Sequence, residues 1–133
     1  MAVGPRGDVL VAWDARGTIQ ARYRSPSASG FQPIETVSSD PTFFARMQAL
    51  VDDRGRCYLA WSAQLLTEGG TRGPVFNEVA VRPVGHRFRA AQLLERDPSN
   101  RSQAPVAIVT TGHDASVAWT GFDGANARVR VAS

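Results

Sequence analysis

One tripeptide recurs three times along this chain and restricts its possible folds more than any other feature. Val11-Ala12-Trp13, Leu59-Ala60-Trp61 and Val117-Ala118-Trp119 each follow a valine and a seven-residue stretch, and the three segments align without gaps. Residues 31–41 and 88–98 form a second pair that aligns without gaps. Because self-similarity of this kind marks a repeat protein, each copy is expected to form one structural unit.

The spacing of the copies defines the repeat. Their tryptophans lie 48 and 58 residues apart, and residues 21–24 after Trp13 are echoed by residues 127–130 at the same offset from Trp119. In the second copy the corresponding residues 79–82 lie ten residues further from Trp61, and the excess falls in a Gly-rich segment at 65–75. The period is therefore 48 residues, with one loop insertion.

Each copy contains four short strand-like runs bounded by turn residues, which in the second copy are 47–51, 57–62, 77–82 and 88–94. The tip Asp52-Asp53-Arg54-Gly55 matches a tight hairpin that needs a positive φ angle. Residues 57–62 form a continuous apolar run, which is typical of a strand covered on both faces. No stretch shows a convincing helical periodicity.

A four-stranded unit of about 40–50 residues is the size of a β-propeller blade. The hairpin V-x-x-x-G-x-x-x-[VL]-A-W, followed by a basic strand and a Phe-led strand, resembles the blades of bacterial sialidase-like (BNR-type) propellers. The resemblance implies an all-β fold of about 2.75 four-stranded antiparallel blades. Blade 1 is predicted at 1–41, blade 2 at 42–98 and blade 3, lacking its last strand, at 99–133.

Such a chain is expected to be incomplete by itself, because a propeller needs at least four blades. The predicted partners are therefore further blades of the same polypeptide or copies of the chain itself. An open stack is the remaining alternative, and it would expose strand edges that invite association.

The resemblance also implies glycoside hydrolysis, but the residues that this activity needs are not found. The family carries an Asp-box, an arginine triad and a tyrosine nucleophile with a carboxylate, whereas the turns at 25–30 and 83–86 lack the Asp-box. Tyr23 and Tyr58 fall within predicted strands, where packing is the expected role. The chain is therefore predicted not to be an enzyme, and no catalytic residue is assigned.

No cofactor or metal is predicted either. The single cysteine, Cys57, excludes an internal disulfide and a Cys-based zinc site. His86 and His113 lack ligand spacing, and the pair Asp52-Asp53 is interpreted as a solvated hairpin tip.

Binding residues are instead sought on the loops that a propeller opens on one face, because such loops concentrate function. These loops are 14–17, 39–46, 65–75, 96–103 and 121–126, and their candidates are Arg16, Arg46, Glu68, Arg72, Arg101 and Asp123. Residues that recur between copies are predicted to be structural. They are Trp13, Trp61 and Trp119 between blades, Phe31 and Phe88 in the Phe-led strands, and Asp40 and Asp97 in a turn.

Charge and hydropathy exclude some classes of binding partner. All 15 basic residues are arginines dispersed among 12 acids, which argues against a nucleic-acid surface. No run of 18 apolar residues is present, so no membrane partner is predicted, and the chain is expected to be secreted only if it belongs to a longer exported protein. The sequence favours a non-catalytic binding or scaffold module for a glycan or protein. A fragment of a sialidase-like hydrolase and a self-assembling lectin-like propeller are the alternatives.

Overall fold

The computed structural model describes residues 1–38, 42–66, 72–97, 106–111 and 114–133. These residues form strands, turns and irregular segments and include no helix, so none of them supplies a helix that could cross a membrane. The strands are β1 (Ala2–Val3), β2 (Val9–Asp14), β3 (Ile19–Arg24), β4 (Glu35–Ser38), β5 (Thr42–Val51), β6 (Cys57–Leu66), β7 (Arg72–Arg82), β8 (Gln92–Asp97), β9 (Ala107–Thr111), β10 (Asp114–Phe122) and β11 (Ala127–Ala132).

The described strands make three antiparallel sheets, and in each sheet neighbouring strands follow one another along the chain. Sheet 1 has the order β1-β2-β3-β4, sheet 2 the order β5-β6-β7-β8 and sheet 3 the order β9-β10-β11. None of the three closes on itself. The chain is therefore all-β, as the sequence predicted, and its units are consecutive sheets.

The sheets stack face to face, and strand β6 shows how. Successive side chains of a strand point to opposite faces, and here Leu59 and Trp61 point towards sheet 1 while Tyr58 and Ala60 point towards sheet 3. All four are buried. The continuous apolar run is thus covered on both faces. The face of each sheet that carries its tryptophan is called the rear face below, and the opposite one the front face.

Two apolar clusters fill the spaces between the sheets. The first joins the front of sheet 1, through Leu10 and Ile19, to the rear of sheet 2, through Leu59 and Trp61. The second joins the front of sheet 2, through Tyr58, Ala60 and Val79, to the rear of sheet 3, through Val106, Ile108, Val117 and Trp119. Both interfaces therefore bring a rear face onto the front face of the preceding sheet.

The hairpins β1–β2 and β5–β6 have the same turn. Gly7 and Gly55 have φ angles of 91° and 86°, and their N–H groups donate to the carbonyls of Gly4 and Asp52. A positive φ is disfavoured for residues with a Cβ. The positive-φ hairpin predicted at Gly55 is confirmed.

Several predicted strand bounds were wrong in the second copy. Strand β6 continues to Leu66 and β7 begins at Arg72, so much of the segment 65–75 lengthens the hairpin instead of forming a loop. Strand β5 begins at Thr42 for the same reason, since it pairs with this longer β6. Strand β8 begins at Gln92 and not at Phe88, because residues 88–91 make one ladder-like bond, from Arg89 N to Val81 O, before pairing starts.

The echo of residues 21–24 in 127–130 is also not a structural equivalence. Arg24 lies opposite Val9, and Arg82 lies opposite Cys57. Val9 and Cys57 each precede the tryptophan of their own strand by four residues, whereas Arg130 lies opposite Trp119 itself. The reason is that β10 runs three residues past its tryptophan and β2 only one. Arg24 and Arg82 are therefore equivalent, and Arg130 is not.

Candidate binding cleft between the first two sheets

The structure separates the residues predicted for binding. Arg16 lies in the β2–β3 turn, Asp123 in the β10–β11 turn, and Arg46 within β5, where its side chain is exposed. Arg72 opens β7, so both Arg46 and Arg72 lie in strands and not in loops, because the β5–β6–β7 hairpins are longer than predicted. Glu68, Arg101 and Asp40 lie outside the described residues.

Two of these candidates have roles in their own turns. Arg16 has a φ of 55° beside Gly17 at 87°, and Asp14 accepts the N–H of Gly17 at 2.8 Å. Asp123 accepts the backbone N–H groups of Ala125 and Asn126 and pairs with Arg128, which together hold the pKa of its carboxyl below the usual value. Among the described contacts, no hydrogen bond or ion pair joins Arg16, Arg46 and Asp123.

The recurring residues occupy the following places. Trp61 and Trp119 are 0% and 6% exposed in the two interfaces, while Trp13 is half-buried on the rear of sheet 1. Phe31 and Phe88 precede β4 and β8 and are not their first residues. Asp97 is buried and is the last residue of β8, opposite Val75, and the turn that it was predicted to shape lies outside the described residues.

The prediction of a solvated hairpin tip was wrong for Asp52, which is only 2% exposed. Its carboxylate accepts the N–H groups of Arg54 and Arg56 and pairs with the Arg56 side chain at 2.6 Å. Burial alone would raise the pKa of Asp52, but these hydrogen bonds bring it below its usual value. It closes the β5–β6 hairpin.

A buried polar network crosses the first interface, with Arg82 of β7 at its centre. The side chain is 2% exposed; its Nε donates to Glu35 at 3.3 Å and its Nη2 to Gln32 at 2.6 Å. The guanidinium carbon lies 4.0 Å from the ring centroid of Tyr23. Glu35 also accepts the backbone N–H of Phe88 at 2.8 Å. One arginine of sheet 2 is thus held by two side chains of sheet 1, Tyr23 and Glu35, and by Gln32 of the β3–β4 connection.

Tyr23 links this network to Asp8. Its hydroxyl donates to Oδ1 of Asp8, which is 2% exposed. Burial and the neighbouring carboxylate raise the pKa of Tyr23 to about 12. Gly55 of sheet 2 packs against the same carboxylate, since a Cβ at this position would lie 2.9 Å from Oδ1.

Two polar atoms of the network lack partners among the described residues. They are Oδ2 of Asp8 and Nη1 of Arg82, and both are buried. Buried polar atoms in native proteins are almost always hydrogen-bonded to protein, water or ligand. Both residues line a cavity of about 370 Å³ whose wall also includes Arg6, Tyr23 and Arg54.

The cavity lies at the end of the sheets that carries the β1–β2 and β5–β6 turns. Arg6 and Arg54 occupy those turns, and Nη1 of Arg6 donates to the Arg54 carbonyl at 3.1 Å. A neighbouring cavity of about 300 Å³ shares Gln32, Arg82 and Gly85 and adds Glu35 and Arg87. The two cavities together, called the cleft below, are bordered by four arginines and two carboxylates. The cleft suits a ligand that has both an anionic group and hydroxyl groups.

Sequence reasoning placed binding at the opposite end of the sheets and missed this cleft. One sequence signal could have pointed to part of it, namely that an arginine recurs at one repeat position, as Arg24 and Arg82. The two copies differ there because only Arg82 follows the ten-residue excess of the second copy. The pairing of Asp8 with Tyr23 had no signal in the sequence. Within the described ranges, no cluster of three or more His, Cys, Asp or Glu side chains could hold a metal ion.

Fold and cleft together define an all-β protein of stacked antiparallel sheets with an arginine-rich crevice between the first two. Comparison with models of protein families, with curated proteins and with solved structures gives no match.

Proposed function

We propose that this chain is a non-catalytic binding module of the β-propeller type, related to the sialidase-like propellers that its repeats resemble. Support for the propeller assignment comes from three consecutive antiparallel sheets that stack with one polarity. Further support comes from the tryptophans of sheets 2 and 3, which fill equivalent places in the two interfaces. A propeller is built from four-stranded sheets repeated around a central axis, so each sheet covers a face of the next.

The proposed ligand is an acidic carbohydrate bound in the cleft. The observation that carries this proposal is that Asp8 and Arg82, each with a partnerless buried atom, line one cavity with Arg6 and Arg54. A guanidinium group binds a carboxylate strongly, and a carboxylate such as Asp8 accepts hydrogen bonds from sugar hydroxyls. A volume of about 370 Å³ is in the range of small-molecule sites and favours a sugar over a protein surface.

Isothermal titration with glucuronate, and with glucose as its neutral counterpart, tests this proposal. Glucuronate is expected to bind and glucose to bind at least about tenfold more weakly, since a charge-assisted hydrogen bond contributes about 1.5–3 kcal/mol. Arg54→Gln is expected to weaken glucuronate binding about tenfold. Arg46→Gln is the matched control, because Arg46 is exposed and does not line either cavity of the cleft. No heat with either sugar, or equal loss in both variants, would refute the assignment.

Glycoside hydrolysis is the second candidate, favoured by one observation. Tyr23 is bonded to a carboxylate beside three arginines, the residue types of a sialidase site. However, Tyr23 is only 6% exposed, and a pKa of about 12 makes its hydroxyl a poor nucleophile at neutral pH. Hydrolysis of a fluorogenic sialoside by the chain, abolished by Tyr23→Phe, would establish the enzyme over the binding module.

A further inference from the structure

The rear face of sheet 1 is an interface-type surface without a neighbour among the described residues. Trp13 occupies the position of Trp61 and Trp119, which are buried between sheets, but it is only half-buried. Val3 lies on the same face, opposite Val9, and is 62% exposed. The tryptophan position is buried between sheets in two copies and half-open in the first. The rear face of sheet 1 is therefore suited to packing against another sheet.

The front face of sheet 3 is the second open surface. Val109, Val129 and Val131 are 56%, 77% and 63% exposed. Val131 lies opposite Ala118, and Val109 opposite Ser116, so the three valines share the face that points away from sheet 2. Exposed apolar side chains gathered on one face of a sheet mark an interaction surface.

The two internal interfaces show which surfaces fit together. In both, the rear of one sheet covers the front of the sheet before it. The open rear of sheet 1 and the open front of sheet 3 are therefore a matching pair on opposite ends of one molecule. We propose that a second copy of this chain covers both, with the rear of sheet 1 of each copy packed on the front of sheet 3 of the other.

Arg24 supports the assignment of the rear face. It occupies the register position of Arg82, whose guanidinium group crosses an interface to bind the preceding sheet. The Nε of Arg24 is buried and has no hydrogen-bond partner in the described structure, and its guanidinium lies 5.7 Å from the Phe31 ring. Since a buried polar nitrogen needs a partner, an added sheet places one within reach of this arginine.

Head-to-tail contacts close into a ring or continue into a fibre. Two copies contribute six sheets, which lies within the roughly four to eight blades of known propellers, whereas three copies would exceed it. The closed form is therefore a homodimer. This inference depends on the stacking of the sheets and not on the proposed ligand, so either can fail without the other.

Sedimentation equilibrium of the full chain tests the proposal through one charge on each open face. The chain is expected to have twice its mass of 14.3 kDa. Val3→Glu alters the rear face and Val131→Glu the front face, and each variant alone is expected to raise the dimer dissociation constant at least about 100-fold, because an unpaired charge is costly to bury. Val84→Glu, at a turn residue that is 51% exposed, is the matched control and should leave the dimer intact. Circular dichroism of each variant confirms that it is folded.

Mixing the two variants distinguishes head-to-tail from like-to-like contact. A Val3→Glu copy retains a sound front face and a Val131→Glu copy a sound rear face, so the mixture is expected to form heterodimers through one intact junction. A chain that stays monomeric at about 100 μM, where a Kd of about 1 μM would leave most copies paired, overturns the proposal. It is equally overturned by a dimer that Val131→Glu leaves unchanged, or by mixed variants that remain monomeric.

Discussion

Arg82 of sheet 2 lies over the ring of Tyr23 of sheet 1, with 4.0 Å between the guanidinium carbon and the ring centroid. The two side chains, with Glu35, Gln32 and Asp8, form a polar network inside an otherwise apolar interface. This network both joins the first two sheets and lines the cleft. Its energetics can therefore be tested apart from any ligand.

Replacement of Arg82 by Met is expected to lower the free energy of unfolding by about 3–5 kcal/mol. The long apolar stem is largely retained, but Glu35 loses its buried cationic partner, and breaking one side of a buried pair carries a cost of this size. Urea denaturation measures the change. Arg128→Met is the control: its pair with Asp123 is exposed, and such pairs contribute about 0–1 kcal/mol. Equal effects would show that the Arg82 network does not join the sheets.

The stability of the chain is expected to fall as the pH rises above about 9. Burial raises the pKa of Cys57 from 9.0 to about 12, and burial and Asp8 raise that of Tyr23 from 10.0 to about 12. Because both groups lose their protons more readily in the unfolded chain, their contribution is complete below pH 9 and is lost as the pH approaches 12. Urea midpoints at pH 8, 9.5 and 11 follow the loss. In Cys57→Ala the decline should begin near pH 10 and not near pH 9; an unchanged profile would contradict the role of the thiol.

Gly55→Ala is expected to destabilise the protein by about 2–3 kcal/mol, and Gly85→Ala by about 1 kcal/mol. Both glycines have a positive φ, 86° and 75°, so both variants carry backbone strain. Only at position 55 would the new Cβ also meet Oδ1 of Asp8, at 2.9 Å, whereas no atom lies within 4 Å at position 85. Thermal unfolding of both variants isolates the contact with Asp8. Equal losses would show that Asp8 moves aside freely.

Ser62→Ala is expected to stabilise the protein by about 1 kcal/mol. Ser62 lies opposite Asn77 in sheet 2, both are 0% exposed, and the hydroxyl has no partner among the described groups. Removing a buried hydroxyl that makes no hydrogen bond recovers its desolvation cost. Ser116→Ala is the control, because the Ser116 hydroxyl is paired with Ser133. A loss of stability in Ser62→Ala would reveal an ordered water at this site.

Local pattern predicted the strands best where the repeat is regular. The β5–β6 hairpin and the two-sided burial of β6 followed from a glycine at the turn and an unbroken apolar run, which are properties of neighbouring residues. The segment 65–75 was misread because its glycines suggested a loop, while pairing with the extended β5 and β6 keeps part of it in strands.

The candidate site lay beyond such patterns. Arg82 and Glu35 are 47 residues apart in the sequence. Their contact depends on which faces of the two sheets pack together and on how the sheets are aligned along the strand direction. The register shift between Ile19 and Gln20, for example, moves β4 and its Glu35 by one residue relative to β3, and neither composition nor spacing reveals it.

The recurring Val/Leu-Ala-Trp segments thus determined by themselves that the chain forms consecutive β units with a tryptophan at the same strand position in each, because strand alternation and turn glycines act over a few residues. Only the tertiary structure decided that Trp61 and Trp119 are covered while Trp13 is half-open, and that Arg82, Tyr23 and Asp8 share a cleft. Burial and ion pairing between sheets depend on how whole sheets stack, and a residue at one repeat position is covered only where a neighbouring sheet is present.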